Sequence, residues 1–459
     1  MRGNPRRPLW ALSLLSLCAA LGTLAAPPRA HDAAPCESVL VGVAHQDDDL
    51  LFVNPDIQRT LHAGCSVSTV YLTAGDAGHP FRTSYYVRSR EDGVRAAYAK
   101  MAGTADRWTR DDVVVRDRRL LSYTLADGAD VRLTFLRLPD GLPRGSGTTT
   151  NHHQSLLRLF RGEIRTIRPV DAERAYTEGE LVSTLTGLAD REKVRRVRTL
   201  DYDNNSFGHQ GTRTVDHSDH SDHAVAGRYF RRAAFDAADR PAVTPYLGYS
   251  MSLLPANLSP AQKKLKEAVF ETYYRHHGCL PKECPAFLPY GPGYRNWVGK
   301  EHRRTHRAAR PGEIMSAIAT TSSARTVQLC LAAGGGEEGA EGAERAEEDD
   351  GVEGAGEAEG AAEVATRACD GARVQSWTFD DGAVRSAVGG RCLTVPYGNS
   401  SAPSLSPCDG SPGQRWWRDA GGRIGSRKGC LSQDDMVNLR PRLRLARCAP
   451  YRPEVRWYG

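Results

Sequence analysis

The chain has no apolar run of the roughly 20 residues that a membrane-spanning helix needs, which argues against a protein built into a bilayer. Its main early apolar stretch, Leu9 to Ala20, follows Arg2, Arg6 and Arg7 and gives way to small residues around Thr23 to Ala30, with Pro27 and Pro28 among them. That order reads as a secretory signal peptide over residues 1–30, with no membrane span once it is removed. The bulky Leu17 before Cys18 argues against a lipoprotein anchor. Hydrophobic residues are not lacking: at 40% of 459 positions they suffice for packed cores, so disorder is excluded and two or three domains are expected. Acids are scarce outside one tract. Formal net charge is +6, or +3 without Arg2, Arg6 and Arg7, yet residues 334–363 hold twelve acids and one arginine, which leaves the rest of the mature chain at about +14. Such a surface suits acidic partners such as anionic cell-wall polymers, and no nucleic acid is expected.

What the chain does have is an apolar run that stops at charge. Val41-Gly42-Val43-Ala44 leads into His45-Gln46-Asp47-Asp48-Asp49 and then Leu50-Leu51-Phe52, the pattern of a strand feeding a polar loop. Three adjacent carboxylates after a buried strand repel one another and are costly to desolvate, so a bound cation is the economical explanation. A histidine and a carboxylate three residues apart can share a site at a strand's C-terminal end, where open α/β sheets bind ligands. Further donors stand in Asp216-His217-Ser218-Asp219-His220-Ser221-Asp222-His223, where histidine recurs every third residue ahead of an apparent helix. Two such imidazoles can face one site while a third points away.

His-Gln-Asp-Asp-Asp at 45–49 resembles the His-Pro-Asp-Asp-Glu signature of the PIG-L/LmbE-like de-N-acetylase superfamily, and the histidine tract resembles its second signature, His-x-Asp-His. The resemblance covers roughly residues 36–250 and implies an α/β Rossmann-like catalytic domain with a mostly parallel sheet. It also implies Zn2+, or another divalent metal, held by His45, Asp48 and a third histidine, with Asp47 as general base. The second signature overlaps itself, since His217 to His220 and His220 to His223 both fit. The helix-like Ala224-Val225-Ala226 follows His223, which favours His223 as ligand and His220 as the assisting imidazole; a site reached by His217 is the alternative. Gln46 and Asp49 stand where the family has proline and glutamate. Arg88 and Glu91 fit the family's Arg-x-x-Glu, whose arginine is implicated in substrate binding; an exposed ion pair along a helix is the plainer reading.

Between these motifs the chain alternates. Helices are expected over 50–63, 85–101 and 260–276, strands over 65–73, 194–201 and 243–251, and a hairpin within 112–139 around Ala126-Asp127-Gly128. This alternation predicts βαβ units and a parallel sheet within a domain spanning 36–300. Residues 301–307, rich in arginine and histidine, have no apolar period and precede Pro311-Gly312; 301–325 reads as a solvated basic linker.

Eleven cysteines, less Cys18, leave ten, an even number that suits an oxidising compartment and allows five disulfides. Cys36 and Cys65 precede the first two expected strands, and Cys279 and Cys284 share a proline-containing loop. The other six belong to an internal repeat over 326–459. Cys369 is followed by Gln375 and Trp377, Cys408 by Gln414 and Trp416, and Cys448 by Glu454 and Trp457, with Cys-Leu upstream at 330, 392 and 430. The repeat resembles the ricin B-type β-trefoil lectin, an all-β fold, and implies the bridges Cys330 to Cys369, Cys392 to Cys408 and Cys430 to Cys448. The acidic tract 334–363 then sits within the first repeat as an insertion expected to be disordered. Sugar-binding repeats carry an aspartate after Cys-Leu; here Ala332, Thr394 and Ser432 stand in its place, and Asp434 and Asp435 make the third repeat the least depleted.

Taken together, the resemblances imply a secreted, zinc-dependent hydrolase that removes an N-acetyl group from an N-acetylglucosamine-type amino sugar or glycoconjugate, with an N-acetylated polysaccharide as partner. The alternative is a non-catalytic carbohydrate-binding protein whose metal is structural.

Overall fold

Strand β1 (Val39–Val43) is buried at every position, because it is covered on both faces. The computed structural model describes residues 36–82, 84–208, 218–276, 294–322, 325–334, 362–395, 398, 400–434, 442–448 and 452–459. The expected signal peptide, His217, the pair Cys279 and Cys284, Asp435 and nearly all of the acidic tract lie outside the described residues. After β1 come α1 (Asp56–His62), β2 (Val67–Thr73), α2 (Tyr86–Ala102), β3 (Trp108–Arg110), β4 (Val113–Val115), β5 (Arg118–Leu125) and β6 (Val131–Leu138). They are followed by α3 (Leu156–Phe160), α4 (Glu178–Arg191), β7 (Arg196–Leu200), α5 (Ser221–Asp236), β8 (Ala242–Tyr246), α6 (Pro260–Tyr274) and α7 (Arg295–Val298).

The strands lie in the order β3-β5-β6-β2-β1-β7-β8, with β4 paired to β5. From β6 to β8 all neighbours are parallel, and β5 and β6 form the expected antiparallel hairpin. Side chains alternate across the sheet. Leu40 and Ala44 join a core shared with α3, α4 and α5, whereas Val39, Val41 and Val43 join one shared with α1, α2 and α6. Because β2 lies on one side of β1 and β7 on the other, the C-terminal ends of β1 and β7 flank a topological switch point, the usual ligand crevice of open α/β sheets.

Two glycines set how closely α5 approaches this crevice. A Cβ at Gly42 would stand 2.4 Å from the Phe230 ring, and one at Gly227 would stand 2.5 Å from the Leu200 carbonyl oxygen. Helix α5 therefore rests directly on β1 and β7. The helix expected over 50–63 is interrupted: Asp49–Val53 is a single π-helical turn, and α1 starts only after Pro55. Proline lacks an amide proton and disfavours helical backbone in the residue before it, here the extended Asn54. The strand expected over 243–251 ends at Tyr246, and Tyr249–Leu253 turns as a 3-10 helix.

The C-terminal third is all-β and has its own core, including Leu331, Trp377, Leu393, Trp416, Leu431 and Trp457. Its repeat is visible as chemistry. The indole N–H of Trp377, Trp416 and Trp457 donates to the carbonyl of Leu331, Leu393 and Leu431 at 2.8, 2.7 and 2.9 Å, so each tryptophan is anchored on the leucine of a Cys-Leu pair. Cys330 is bonded to Cys369, Cys392 to Cys408 and Cys430 to Cys448. Cys36 and Cys65 are disulfide-bonded as well.

The stretch read as a solvated linker is packed instead. Arg304 is buried and paired with Asp201, Arg303 lies 2.8 Å from Asp56, and His306 lies 2.6 Å from Asp203. Met315–Ser322 is already a strand of the all-β sheet. The segment has no apolar period because its buried side chains are held by ion pairs. Among the described residues no helix is long and apolar enough to cross a membrane.

Candidate metal centre

The acidic triplet divides among three environments, so only part of it faces one cation. Asp49 turns into the core and accepts from the hydroxyls of Tyr71 and Tyr98 at 2.7 and 2.9 Å; burial pushes its pKa up to about 7. Asp47 points to Arg90, whose Nη2 donates to Oδ1 at 2.6 Å. Asp48 alone turns into the crevice beside His45. Its Oδ2 accepts the backbone N–H of His45 and of Ala44 at 2.7 and 3.1 Å, which fixes the carboxylate plane at the end of β1.

Helix α5 brings the second half of the site. His220 caps its N-terminus, its Nδ1 accepting the Asp222 backbone N–H at 3.2 Å, and His223 stands in the first turn. The expected ligand side chains meet: Asp48 Oδ1 is 2.9 Å from His223 Nε2, and Asp48 Oδ2 is 3.4 Å from His45 Nδ1. Two donors about 2.0–2.2 Å from one tetrahedral ion stand about 3.3–3.5 Å apart; the His45 to Asp48 spacing matches this, and the shorter Asp48 to His223 spacing is that of an ion pair in direct contact. The donor chemistry fits too: a buried imidazole nitrogen of His223 faces a buried carboxylate oxygen of Asp48, both of them metal-ligating groups. One atom each of His45, His220 and His223 lies within 4.8 Å of the others.

Residues to which the sequence reading gave no role complete the pocket, two of them acids of the histidine tract itself. Asp219 Oδ1 lies 2.7 Å from His223 Nδ1 and also accepts the backbone N–H of His220 and of Tyr249 at 2.8 and 3.1 Å. This carboxylate orients the imidazole so that Nε2 faces Asp48. On the far side, His45 Nε2 is 3.5 Å from Asp222 Oδ2 and 3.7 Å from Asp140 Oδ2. His220 Nε2 lies 3.7 Å from the other Asp140 oxygen. Tyr249 closes one wall, its ring 4.9 Å from that of His223 and stacked on Trp297 at 5.0 Å.

The electrostatics show what a cation would displace. Burial disfavours an imidazolium at His223, but the Asp48 and Asp219 carboxylates outweigh it and push its pKa up to about 10. Asp48 and Asp140 act in the same direction on His45, again against burial. Burial opposes ionisation of Asp48, yet His223 and His45 hold it well below the usual carboxylate range. In the absence of metal the pocket is thus balanced by protons on imidazole, which a dication would release on binding.

The structure does not bring Arg88 to these carboxylates. It is exposed, its guanidinium 5.9 and 5.6 Å from the rings of Phe81 and Tyr85, and Glu91 pairs with Arg137 at 2.6 Å. The arginine that reaches Asp47 is Arg90. Two positions apart on a helix are about 200° apart around its axis, so the two arginines face opposite ways. Arg90, Asp140, Asp219 and Asp222 escaped the sequence reading of the site; only Asp219 and Asp222 had a signal, as the acids interleaved with the histidines.

A buried histidine and aspartate pocket at the switch point of a mostly parallel sheet, followed by an all-β repeat domain, defines a two-domain protein with a candidate metal centre. Residues 40–234 match the family described as GlcNAc-PI de-N-acetylase, PIG-L, and residues 351–457 match the ricin-type beta-trefoil lectin domain. The chain therefore carries a PIG-L-type domain followed by a ricin-type trefoil. No curated protein matches it. Among solved structures it is similar to the beta-trefoil lectin of the Vibrio vulnificus hemolysin/cytolysin with N-acetyl-D-lactosamine bound, at 19% identity over 28% of this chain and 82% of that one, with a TM-score of 0.19. It is also similar to a conserved protein from Thermus thermophilus, at 17% identity over 52% and 79% of the two chains, TM-score 0.28. A third is the zinc inhibited form of teicoplanin deacetylase Orf2, at 13% identity over 51% and 84%, TM-score 0.29.

Proposed function

We propose that the protein is a secreted, zinc-dependent hydrolase that removes the N-acetyl group from an N-acetylglucosamine-type amino sugar or glycoconjugate. The observation that carries this reading is the meeting of His45, Asp48 and His223 beside Asp47, within a domain that matches the PIG-L family. Zinc held by those three residues would lower the pKa of a water to about 7 and polarise the acetyl carbonyl.

The chain's own groups then move the protons. Asp47, with Oδ1 held by Arg90, takes the proton of the attacking water on its other oxygen. His220 accepts a backbone N–H at Nδ1, so its proton sits on Nε2, from where it donates a hydrogen bond to the tetrahedral oxyanion, while the proton that Asp47 took from water passes to the departing amine. Water adds to the acyl carbon, the C–N bond breaks, and the products are acetate and a free amino sugar. The phenolic and indole wall of Tyr249 and Trp297 excludes water from one side of the pocket and offers a sugar ring an apolar face.

Secretion fits the leader and the disulfides, which persist in oxidising compartments. An N-acetylated polysaccharide as partner fits the joined trefoil. The deciding experiment is acetate release from a panel of N-acetylated oligosaccharides and glycoconjugates, with and without a chelator. Release from at least one amino sugar, abolished by chelation and restored by zinc, is expected; no release from any of them, with zinc loaded, would overturn the hydrolytic reading in favour of a binding protein with a structural metal.

A further inference from the structure

We propose that the joint between the PIG-L-type domain and the trefoil is a binding site for an anionic oligosaccharide, one bearing carboxylate or phosphate groups. Two adjoining cavities of about 530 and 640 Å³ lie there and share Tyr202, Arg231, Phe235, His306 and Tyr458. Their size is that of small-ligand pockets. One wall belongs to the α/β domain, from the last turns of α5 and the chain after β7. The other belongs to the trefoil, from its third repeat together with Gln328 and the start of the strand Met315–Ser322.

The walls are held in place. Arg232, next to Arg231 on α5, is largely buried and pairs with Glu178 of the same domain at 2.5 Å and with Glu454 of the trefoil. Glu454 occupies the position where the first two repeats have Gln375 and Gln414. Those glutamines close their own turns, donating to the carbonyls of Ala368 and Pro407 at 2.6 and 2.7 Å. The third repeat has exchanged that internal bond for an ion pair across the joint, so the cleft is a fixed concavity between domains and not a gap between tethered modules.

Charge and unsatisfied donors say what it takes. Arg423 is paired with Asp419 at 2.6 Å, and Arg452 is 3.6 Å from Asp236. Arg456 has no carboxylate within ion-pair distance among the described residues; its guanidinium lies 5.4 and 5.7 Å from the rings of Phe235 and Tyr458, and its Nε is buried without an acceptor. Arg231, 5% exposed and 4.2 Å over the Tyr202 ring, has its Nη1 3.8 Å from an Asp203 oxygen but a buried Nε without an acceptor. Guanidinium groups recognise carboxylate and phosphate by paired, charge-assisted hydrogen bonds. Aromatic rings between them suit the C–H faces of pyranose rings, which a simple anion lacks. The positions after Cys-Leu, where sugar-binding trefoil repeats carry an aspartate, hold the buried Ala332, Thr394 and Ser432. A saccharide surface at the joint therefore lies apart from those positions.

The test uses the full chain, titrated calorimetrically with trigalacturonate, with neutral chitotriose and with inorganic phosphate. Trigalacturonate should bind, more weakly as salt rises, and Arg456→Gln should weaken it at least tenfold while leaving acetate release from a small soluble substrate unchanged. Tyr458→Ala, at a side chain 41% exposed, gives a second variant whose folding is not in question, and it too should weaken binding. No binding of trigalacturonate, equal affinity for chitotriose, or affinity unchanged in both variants would overturn the proposal. Inorganic phosphate binding as tightly as trigalacturonate would reduce the joint to a simple anion site and overturn the saccharide assignment.

Discussion

Arg90 commits its three guanidinium nitrogens to fixed partners, Asp47 at 2.6 Å, the Gly75 carbonyl at 2.7 Å and the Tyr273 hydroxyl at 2.8 Å. It is a positioning residue: it holds one oxygen of the proposed base so that the other can face the water. Lysine keeps the charge but not the planar fork. Arg90→Lys should lower kcat by about 10- to 100-fold, the scale of a small misplacement in the site, with bound zinc and KM little changed; steady-state kinetics beside metal analysis checks this. Lys266 offers a second test. Its Nζ donates to the carbonyls of Leu51, Lys300 and Trp297 at 2.6, 2.6 and 3.4 Å, beneath the turn that carries the acids, and burial pulls its pKa down to about 7. An unfolded lysine keeps its proton to about pH 10.4. Between pH 7 and 10 the unfolded chain therefore binds more protons, so stability should rise with pH by up to about 1.4 kcal/mol per unit and should be flat, from this group, below 7. Urea denaturation at pH 7 and 9 should show that slope in the native chain and not in Lys266→Met; equal slopes would contradict it. His45, Asp47, Asp48, His220 and His223 were legible because each sits in a short run of like chemistry. Arg90 and Asp140 were not, because they enter the pocket from separate segments and only the fold brings them there.

At the scale of elements, α5 carries the most weight. Its first turn holds His223, its middle rests on β1 and β7, and its last turns meet the trefoil. Gly42→Ala would press a methyl into the Phe230 ring; overpacking of this kind costs about 1–3 kcal/mol. The substitution should lower the melting temperature and also weaken zinc binding, because lifting α5 moves His223 away from Asp48; an unchanged zinc affinity would break that link. The inner strands of the α/β sheet and helices α2, α5 and α6 could be read from apolar period, whereas α3, α4 and α7 were not anticipated; the trefoil could be read from its spacing of cysteine and tryptophan. The helix over 50–63 was misjudged because Pro55 interrupts a pattern whose hydrophobicity continues, and the linker because an ion-paired core shows no hydrophobic period. The exchange of glutamine for Glu454 was visible in the sequence, but its partner Arg232 lies 222 residues away.

At the scale of the whole molecule, the two domains act as one body rather than as an enzyme with a tethered appendage. Residues 302–307 pack against Asp56, Asp201 and Asp203, and Glu454 pairs with Arg232. Glu454→Gln should restore the glutamine of the other repeats yet destabilise the full chain by about 1.5–3 kcal/mol, the range for losing a hydrogen bond to a charged group. Denaturant unfolding should show one transition for native protein; two well-separated transitions would show independent domains. The measurement that tests the account most directly pairs zinc content with acetate release for the native chain, Asp47→Asn, and Asp48→Asn with His223→Gln. One zinc per native chain is predicted. Asp47→Asn should keep that zinc and lose activity by about 10²-fold or more, as loss of a general base does, whereas the double variant should lose both. Full zinc in the double variant, or unchanged turnover in Asp47→Asn, would contradict the assignment of ligands and base.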